Sequence, residues 1–258
     1  MAKERQDVVG VNCVKNAEGN IVIECNKVKD VWQKYMEKLL NEENEWDNNV
    51  ECEKTQGPSC RITTVEVEQA LKNMKNGKAA GQTSVVTEML KAANDVGIEW
   101  LTDLCNLIVC KGEIHEDWKS SVLIPIYKGK GNPLECGSYR AIKLLEHPMK
   151  VVEKVMEKRV REQVKIDGMQ FGFTSGKGTT DAIFVARQMQ EKHQAVGRNL
   201  FYAFVDLEKA FDRVPREVVR WALRKAGVDK WLVRSYGMAC RGRKQWLGRM
   251  VGIVIVLT

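Results

Sequence analysis

The stretch FVDLEKAFD, Phe204–Asp212, begins with strand-forming residues and ends as the entry to a helix. It follows directly on Leu200-Phe201-Tyr202-Ala203, so an unbroken apolar run, LFYAFV, leads into the carboxylate of Asp206. Such a run predicts a buried strand. A carboxylate at the end of a buried strand is costly unless its charge is compensated, and a divalent cation is one of the few partners that does so fully. Asp206 is therefore a candidate metal ligand, with helix capping or an ion pair as the plainer alternatives. Asp212, just before Arg213 and Pro215, reads as an N-cap.

Working outward, the chain alternates helical and strand-like patterns. Trp32, Tyr35, Met36, Leu39 and Leu40 form one apolar helical stripe. The aperiodic acidic text after it predicts a linker over residues 41–61, with Gly57-Pro58 as turn chemistry. Thr63 and Glu66 form a capping box for a helix bearing Val67, Ala70, Leu71 and Met74, with Gly77 expected to close it. A helix near residues 98–109 precedes SSVLIPIYK, a predicted strand, and GKGNPLECGS, a polar turn. Helices follow around Val152–Val160 and Ala182–Met189. Pro215 suits the first turn of a helix bearing Val218, Val219, Ala222 and Leu223, ended by Gly227. No internal repeat or low-complexity tract interrupts this order.

Composition narrows the class. The 258 residues are 44% hydrophobic and 29% charged, which excludes disordered and collagen-like chains. The longest apolar run, VGIVIVLT, is shorter than a membrane span of about 18 residues, and MAKERQDVVG lacks a signal-peptide pattern. The expectation is an intracellular protein, nuclear or cytoplasmic, with no membrane partner. Eight cysteines without a CxxC pair read as reduced thiols. Cys105, Cys110 and His115 repeat every five residues, which turns successive members about 140° apart on a helix, too far for one zinc ion. The net charge is +7, yet residues 213–249 hold eleven Lys and Arg against Glu217 and Asp229, a local +9 that leaves −2 elsewhere. That stretch is either a solvated face or a surface for a phosphate backbone. GFTSGKGTT, Gly172–Thr180, fails the P-loop pattern, because Phe171 stands at the first glycine position and Gly178 follows the lysine. It reads as a flexible turn before a helix capped by Thr179 or Thr180.

Taken in order, LIPIYKGKGN, GSYRAIKLLEHPMKVVEKVMEKRV, MQFGFTSGKGTTDAI and FVDLEKAFDRVPREVVRWALRKAGV resemble the reverse transcriptase of non-LTR (LINE-type) retrotransposons, nearest to RTE/BovB-like elements. The resemblance covers about residues 30–243. It implies an α+β right-hand polymerase fold, fingers plus an incomplete palm, preceded by a helical N-terminal extension. It divides the chain into a helical and linker region (1–60), a helical extension (61–119), a partial reverse transcriptase domain (120–243) and a divergent apolar tail (244–258). It further implies an RNA template, a DNA primer and Mg²⁺. The family binds two such ions, roughly 3.5 to 4 Å apart, through three aspartates.

Residue by residue, the resemblance makes Asp206 the first catalytic and metal-binding aspartate, and the Leu207 carbonyl a further ligand. Ala210 and Phe211 fall on the nucleotide side, with Phe211 at the steric-gate position or, alternatively, a core aromatic. Lys128 and Arg140 match cations that hold the incoming triphosphate, a role suited to a guanidinium fork. Lys150, Lys154, Lys158 and Arg159 would lie near the template, and Arg213, Arg216, Arg220, Arg224, Lys225, Arg241 and Arg243 make up the basic stretch. Departures also stand out. Ala141 and Lys143 replace a usual Pro and Ser, and GQTS at Gly81–Ser84 replaces a Pro-Asp-Gly turn. The family's HQG…LSP segment and its Asp-Asp loop do not occur, and the text after about Arg243 reads as a change of frame or exon. The expectation is a truncated, inactive polymerase domain, prone to self-association, with a non-enzymatic nucleic-acid-binding remnant as the alternative.

Overall fold

The computed structural model describes residues 13–41, 55–57, 59–111, 113–114, 118, 122–206 and 214–240. The chain divides into two compact units, Met1–Glu42 with Arg61–Val155, and Glu43–Cys60 with Met156–Thr258.

The first unit begins with a short hairpin, β1 (Val14–Lys15) against β2 (Ile21–Val22), followed by α1 (Cys25–Asn41). Gly19, at φ +84°, makes the turn possible. The wholly buried Val14 packs with Val28 and Cys136, and Val22, Val31, Trp32 and Tyr35 cover that cluster. Neither the hairpin nor this contact was expected from the sequence, where two-residue strands leave no periodicity to read.

Helix α2 (Thr64–Lys72) begins as expected. The Thr63 side chain accepts from the Glu66 N–H, and the Glu66 carboxylate accepts from the Thr63 N–H at 2.9 Å. It ends on Asn73 rather than Gly77, which instead serves the following turn at φ +68°. Val67, Ala70, Leu71 and Met74 are buried, as are Leu101, Cys105 and Ile108 of α4 (Asn94–Lys111). The Asn106 amide brackets the backbone of Ile62, accepting from its N–H at 2.8 Å and donating to its carbonyl at 2.9 Å.

Strands β3 (Val122–Tyr127) and β4 (Tyr139–Leu144) pair antiparallel, Val122 opposite Leu144 and Tyr127 opposite Tyr139. The turn from β4 into α5 (His147–Gln163) carries two buried ionisable side chains, Glu146 and His147. Glu146 accepts from the Thr83 N–H at 2.9 Å and from the Thr83 hydroxyl. His147 Nε2 lies 3.0 Å from the Ala79 carbonyl, which can only accept, so Nε2 carries the proton and Nδ1 accepts from the Thr87 hydroxyl at 2.9 Å. The loop between α2 and α3 (Thr87–Ala92) is thereby clamped at two points. Gly81 is required there, because a Cβ would collide with the Glu146 carboxylate.

The second unit packs Met156 and Val160 of α5 and Val164 just beyond it, and builds a helical pair from α7 (Arg216–Lys225) and α8 (Lys230–Cys240) around Leu223, Val228, Leu232, Val233 and Tyr236. Helix α7 ends as the sequence predicts. Gly227, at φ +81°, donates to Arg224 at 2.9 Å, and Val228 donates back to Leu223 at 3.0 Å, a Schellman closure whose two apolar ends are both buried. Gln163 and Asp229 exchange two hydrogen bonds, at 2.8 and 2.9 Å.

Two expectations are corrected in this unit. Helix α6 (Thr179–Ala195) is capped by neither threonine: Asp181 reaches back to accept from the Gly178 N–H at 2.7 Å, and a carboxylate three residues into the helix can do this because Gly178 is extended there. The second correction concerns LFYAFV, which is neither a strand nor buried. Residues 199–206 run without regular structure, and Phe201, Phe204 and Val205 are 84% exposed or more. A strand needs a partner ladder, and among the described residues none lies beside this segment. Its tie to α6 is the Tyr202 hydroxyl, donating to the Ala186 carbonyl at 2.7 Å. No buried residue lies on α6, which leaves Ile183 and Phe184 exposed.

Two measurements test this packing. Glu146→Ala strands two donors of Thr83 and is expected to cost about 3 kcal/mol in urea unfolding, with Glu146→Gln recovering part of it. Burial, aided by the charge of Glu66, pushes the Cys105 thiol up to about 12. Only thiolates attack iodoacetamide, so at pH 8.5 mass spectrometry should find the exposed Cys25, Cys60 and Cys110 alkylated and Cys105 intact until the protein unfolds.

Candidate active site

The β3–β4 hairpin places its cations by register. Arg140 stands opposite Ile126, and the Lys128 N–H donates to the Ser138 carbonyl at 3.0 Å, continuing the ladder one step beyond Tyr127. Residues 126 and 128 share one face of a strand, so Lys128 and Arg140 are diagonal neighbours on the same face. Both are exposed.

The loop that joins the strands is held by its own side chains. The Tyr127 hydroxyl donates to the Gly131 carbonyl at 2.6 Å, and the Tyr139 hydroxyl to the Pro133 carbonyl at 2.7 Å. Lys128 Nζ donates to the Gly137 carbonyl at 2.8 Å. An ammonium has three donors, so this bond fixes the lysine and leaves two for an anion. Gly129 and Gly131, at φ +73° and +84°, supply the left-handed turns. Sequence reading named the two cations but not Gly137, whose carbonyl orients one of them. The glycines of GKG and CGS were the available signal.

The other candidates are scattered. Lys150 and Lys154 are half-buried on α5, while Lys158 is exposed and faces Glu162 at 4.0 Å. Arg159 stacks over the Trp231 ring at 5.3 Å and donates to the Cys60 carbonyl at 2.7 Å, which commits it to holding the second unit together. On α7, Arg216, Arg220 and Arg224 recur every four residues along one stripe. Arg220 pairs with Glu217, Arg216 Nε is buried without a hydrogen-bond partner among the described residues, and Lys225 lies over the Trp221 ring at 5.1 Å.

Asp206 is exposed at the end of the unpaired segment. Leu207, Ala210, Phe211, Arg213, Arg241 and Arg243 lie outside the described residues. Among the described residues no three His, Cys, Asp or Glu side chains come together as a metal site. One solvated carboxylate does not fit a two-ion centre, which needs several acidic oxygens converging on each hard cation. In the GFTSGKGTT turn, Phe173 at φ +56° and Gly176 at φ +77° carry the backbone round, and Lys177 is spent on the Gly168 carbonyl and the Phe171 ring.

The family model described as reverse transcriptase (RNA-dependent DNA polymerase) matches residues 126–256, beginning inside β3 and running past Arg243, where the motif-by-motif resemblance stops. The RNA-directed DNA polymerase from mobile element jockey of Drosophila melanogaster is 29% identical over 166 residues, 61% of this chain and 18% of its own length. The retrovirus-related Pol polyprotein from type-1 retrotransposable element R1 of Bradysia coprophila is 30% identical over 202 residues, 73% of this chain and 19% of its own length. The probable RNA-directed DNA polymerase from transposon X-element of Drosophila melanogaster is 29% identical over 154 residues. The chain spans under a fifth of the length of these curated relatives. With half of its residues inside the family match, and with relatives drawn from non-LTR elements, the chain belongs to the reverse transcriptase (RNA-dependent DNA polymerase) family.

Proposed function

We propose that this chain carries the fingers and the opening of the palm of an RNA-directed DNA polymerase from a LINE-type, RTE/BovB-like element, and that its 258 residues do not by themselves transfer nucleotides. The observation that carries the reading is the pair Lys128 and Arg140, side by side on an exposed hairpin face at the start of the family match. In that reading the Arg140 fork engages two oxygens of an incoming triphosphate while Lys128 supplies a point charge beside it. RNA template and DNA primer would be the partners. Asp206 would contribute one carboxylate of the reaction centre, Mg²⁺ being the ion the family uses there. A single carboxylate leaves too little negative charge to hold a pair of such ions, which is the physical ground for expecting no turnover.

A second reading rests on α7, where the stripe Arg216, Arg220 and Arg224 with Lys225 offers a basic surface to a nucleic-acid backbone. The exposed Phe201, Phe204, Ile183 and Phe184 also favour self-association.

Primer extension on an RNA template with Mg²⁺ is expected to give no product. Extension abolished by Asp206→Asn would overturn the claim of inactivity. For the second reading, filter binding across a salt series should show affinity falling steeply with salt, and Arg224→Ala with Lys225→Ala should lower the log–log slope by about 2. Salt-independent or absent binding rejects it.

A further inference from the structure

The segment ahead of the family match is built against the hairpin that carries Lys128 and Arg140. Strand β1 reaches the loop through its backbone, the Lys15 N–H donating to the Leu134 carbonyl at 2.7 Å. Helix α1 reaches it through rings. Tyr35 meets Trp32 edge-on at 6.0 Å, Trp32 meets Tyr139 edge-on at 5.2 Å, and Tyr139 leans on Tyr127 at 5.4 Å. Tyr127 and Tyr139 immediately precede Lys128 and Arg140 in the chain. Their hydroxyls hold the Gly131 and Pro133 carbonyls, and the buried Cys136 belongs to the Val14–Val28 cluster. The indole N–H of Trp32 is buried with no hydrogen-bond partner among the described residues. The ring's observed partners are therefore the two tyrosine rings on either side of it, Tyr35 and Tyr139.

We propose that Trp32 is a positioning residue for the nucleotide-facing hairpin. By wedging Tyr139, it keeps the loop in the one arrangement where the Gly137 carbonyl orients Lys128 beside Arg140. The inference rests on the reading of Lys128 and Arg140 as the triphosphate-holding pair. It assigns residues 13–41 a part in anion affinity that their distance in sequence from residue 128 does not suggest. Such edge-to-face ring pairs are individually small in energy but directional, and direction is what a two-cation fork needs.

The test uses inorganic tripolyphosphate as the probe, titrated calorimetrically into the full chain at low salt and without metal. Arg140→Ala should abolish or strongly weaken binding. Trp32→Ala is expected to weaken it about ten-fold, equivalent to 1.4 kcal/mol, and Trp32→Phe to return it to within about two-fold of the parent. Val67→Ala, in the α2–α4 core and away from the loop, serves as a control that destabilises the same unit, and it should leave affinity unchanged. If Trp32→Ala does not fold, Trp32→Leu is judged by the same criterion. Unchanged affinity in the Trp32 variants while Arg140→Ala weakens binding overturns the positioning role alone. Equal loss in Val67→Ala also overturns it, because the effect is then one of stability. Unchanged affinity in Arg140→Ala overturns the reading of the hairpin, and the positioning role falls with it.

Discussion

The first unit depends on how two ionisable side chains are buried at the turn from β4 into α5. Glu146 and His147 are 2% and 0% exposed. What makes this tolerable is the polar loop at residues 79–87, which supplies an N–H and a hydroxyl to Glu146 and a carbonyl and a hydroxyl to His147. The loop in turn has no regular backbone ladder of its own, so its shape is set by the same bonds. The loop ahead of α3 and the turn from β4 into α5 are therefore folded against each other by mutual satisfaction of polar groups rather than by apolar area alone. Each half leaves orphaned groups without the other.

This arrangement explains which parts of the fold were legible. The capping box at Thr63, the Schellman closure at Gly227 and the strand VLIPIY depend on residues within a few positions of one another, and each appears where the pattern places it. The threonine cap of α6 failed for a local reason, since Asp181 offered the hydrogen bond to the Gly178 N–H, while α2 stops on Asn73, four residues short of Gly77. The hairpin at Val14 and the clamp on Glu146 were not legible, because the first is too short for a period and the second joins residues 63 apart in sequence.

At the candidate site, legibility divides along the same line. Lys128 and Arg140 came from matching motifs, and the register of one hairpin puts them on diagonal positions of one face. Asp206 stands out in the sequence on two grounds, the motif matching that makes it the first aspartate and the compensation that a carboxylate closing a buried strand requires. The second ground does not hold in the structure, where the run before it is exposed and the cost never arises. Glu146 shows the contrast: this carboxylate is buried in a loop-facing turn with donors around it, and nothing in its local sequence, LLEHP, marks it out.

The described residues thus hold a hairpin with two cations and aromatic support, and they bring no three His, Cys, Asp or Glu side chains together. The most direct measurement of that difference is Mn²⁺ binding to the purified 258-residue chain, followed by the loss of the free-ion electron paramagnetic resonance signal. A lone solvated carboxylate should hold Mn²⁺ only at millimolar concentrations, with no coupled pair. Two Mn²⁺ ions bound at micromolar concentration, spin-coupled and lost together in Asp206→Asn, would contradict it.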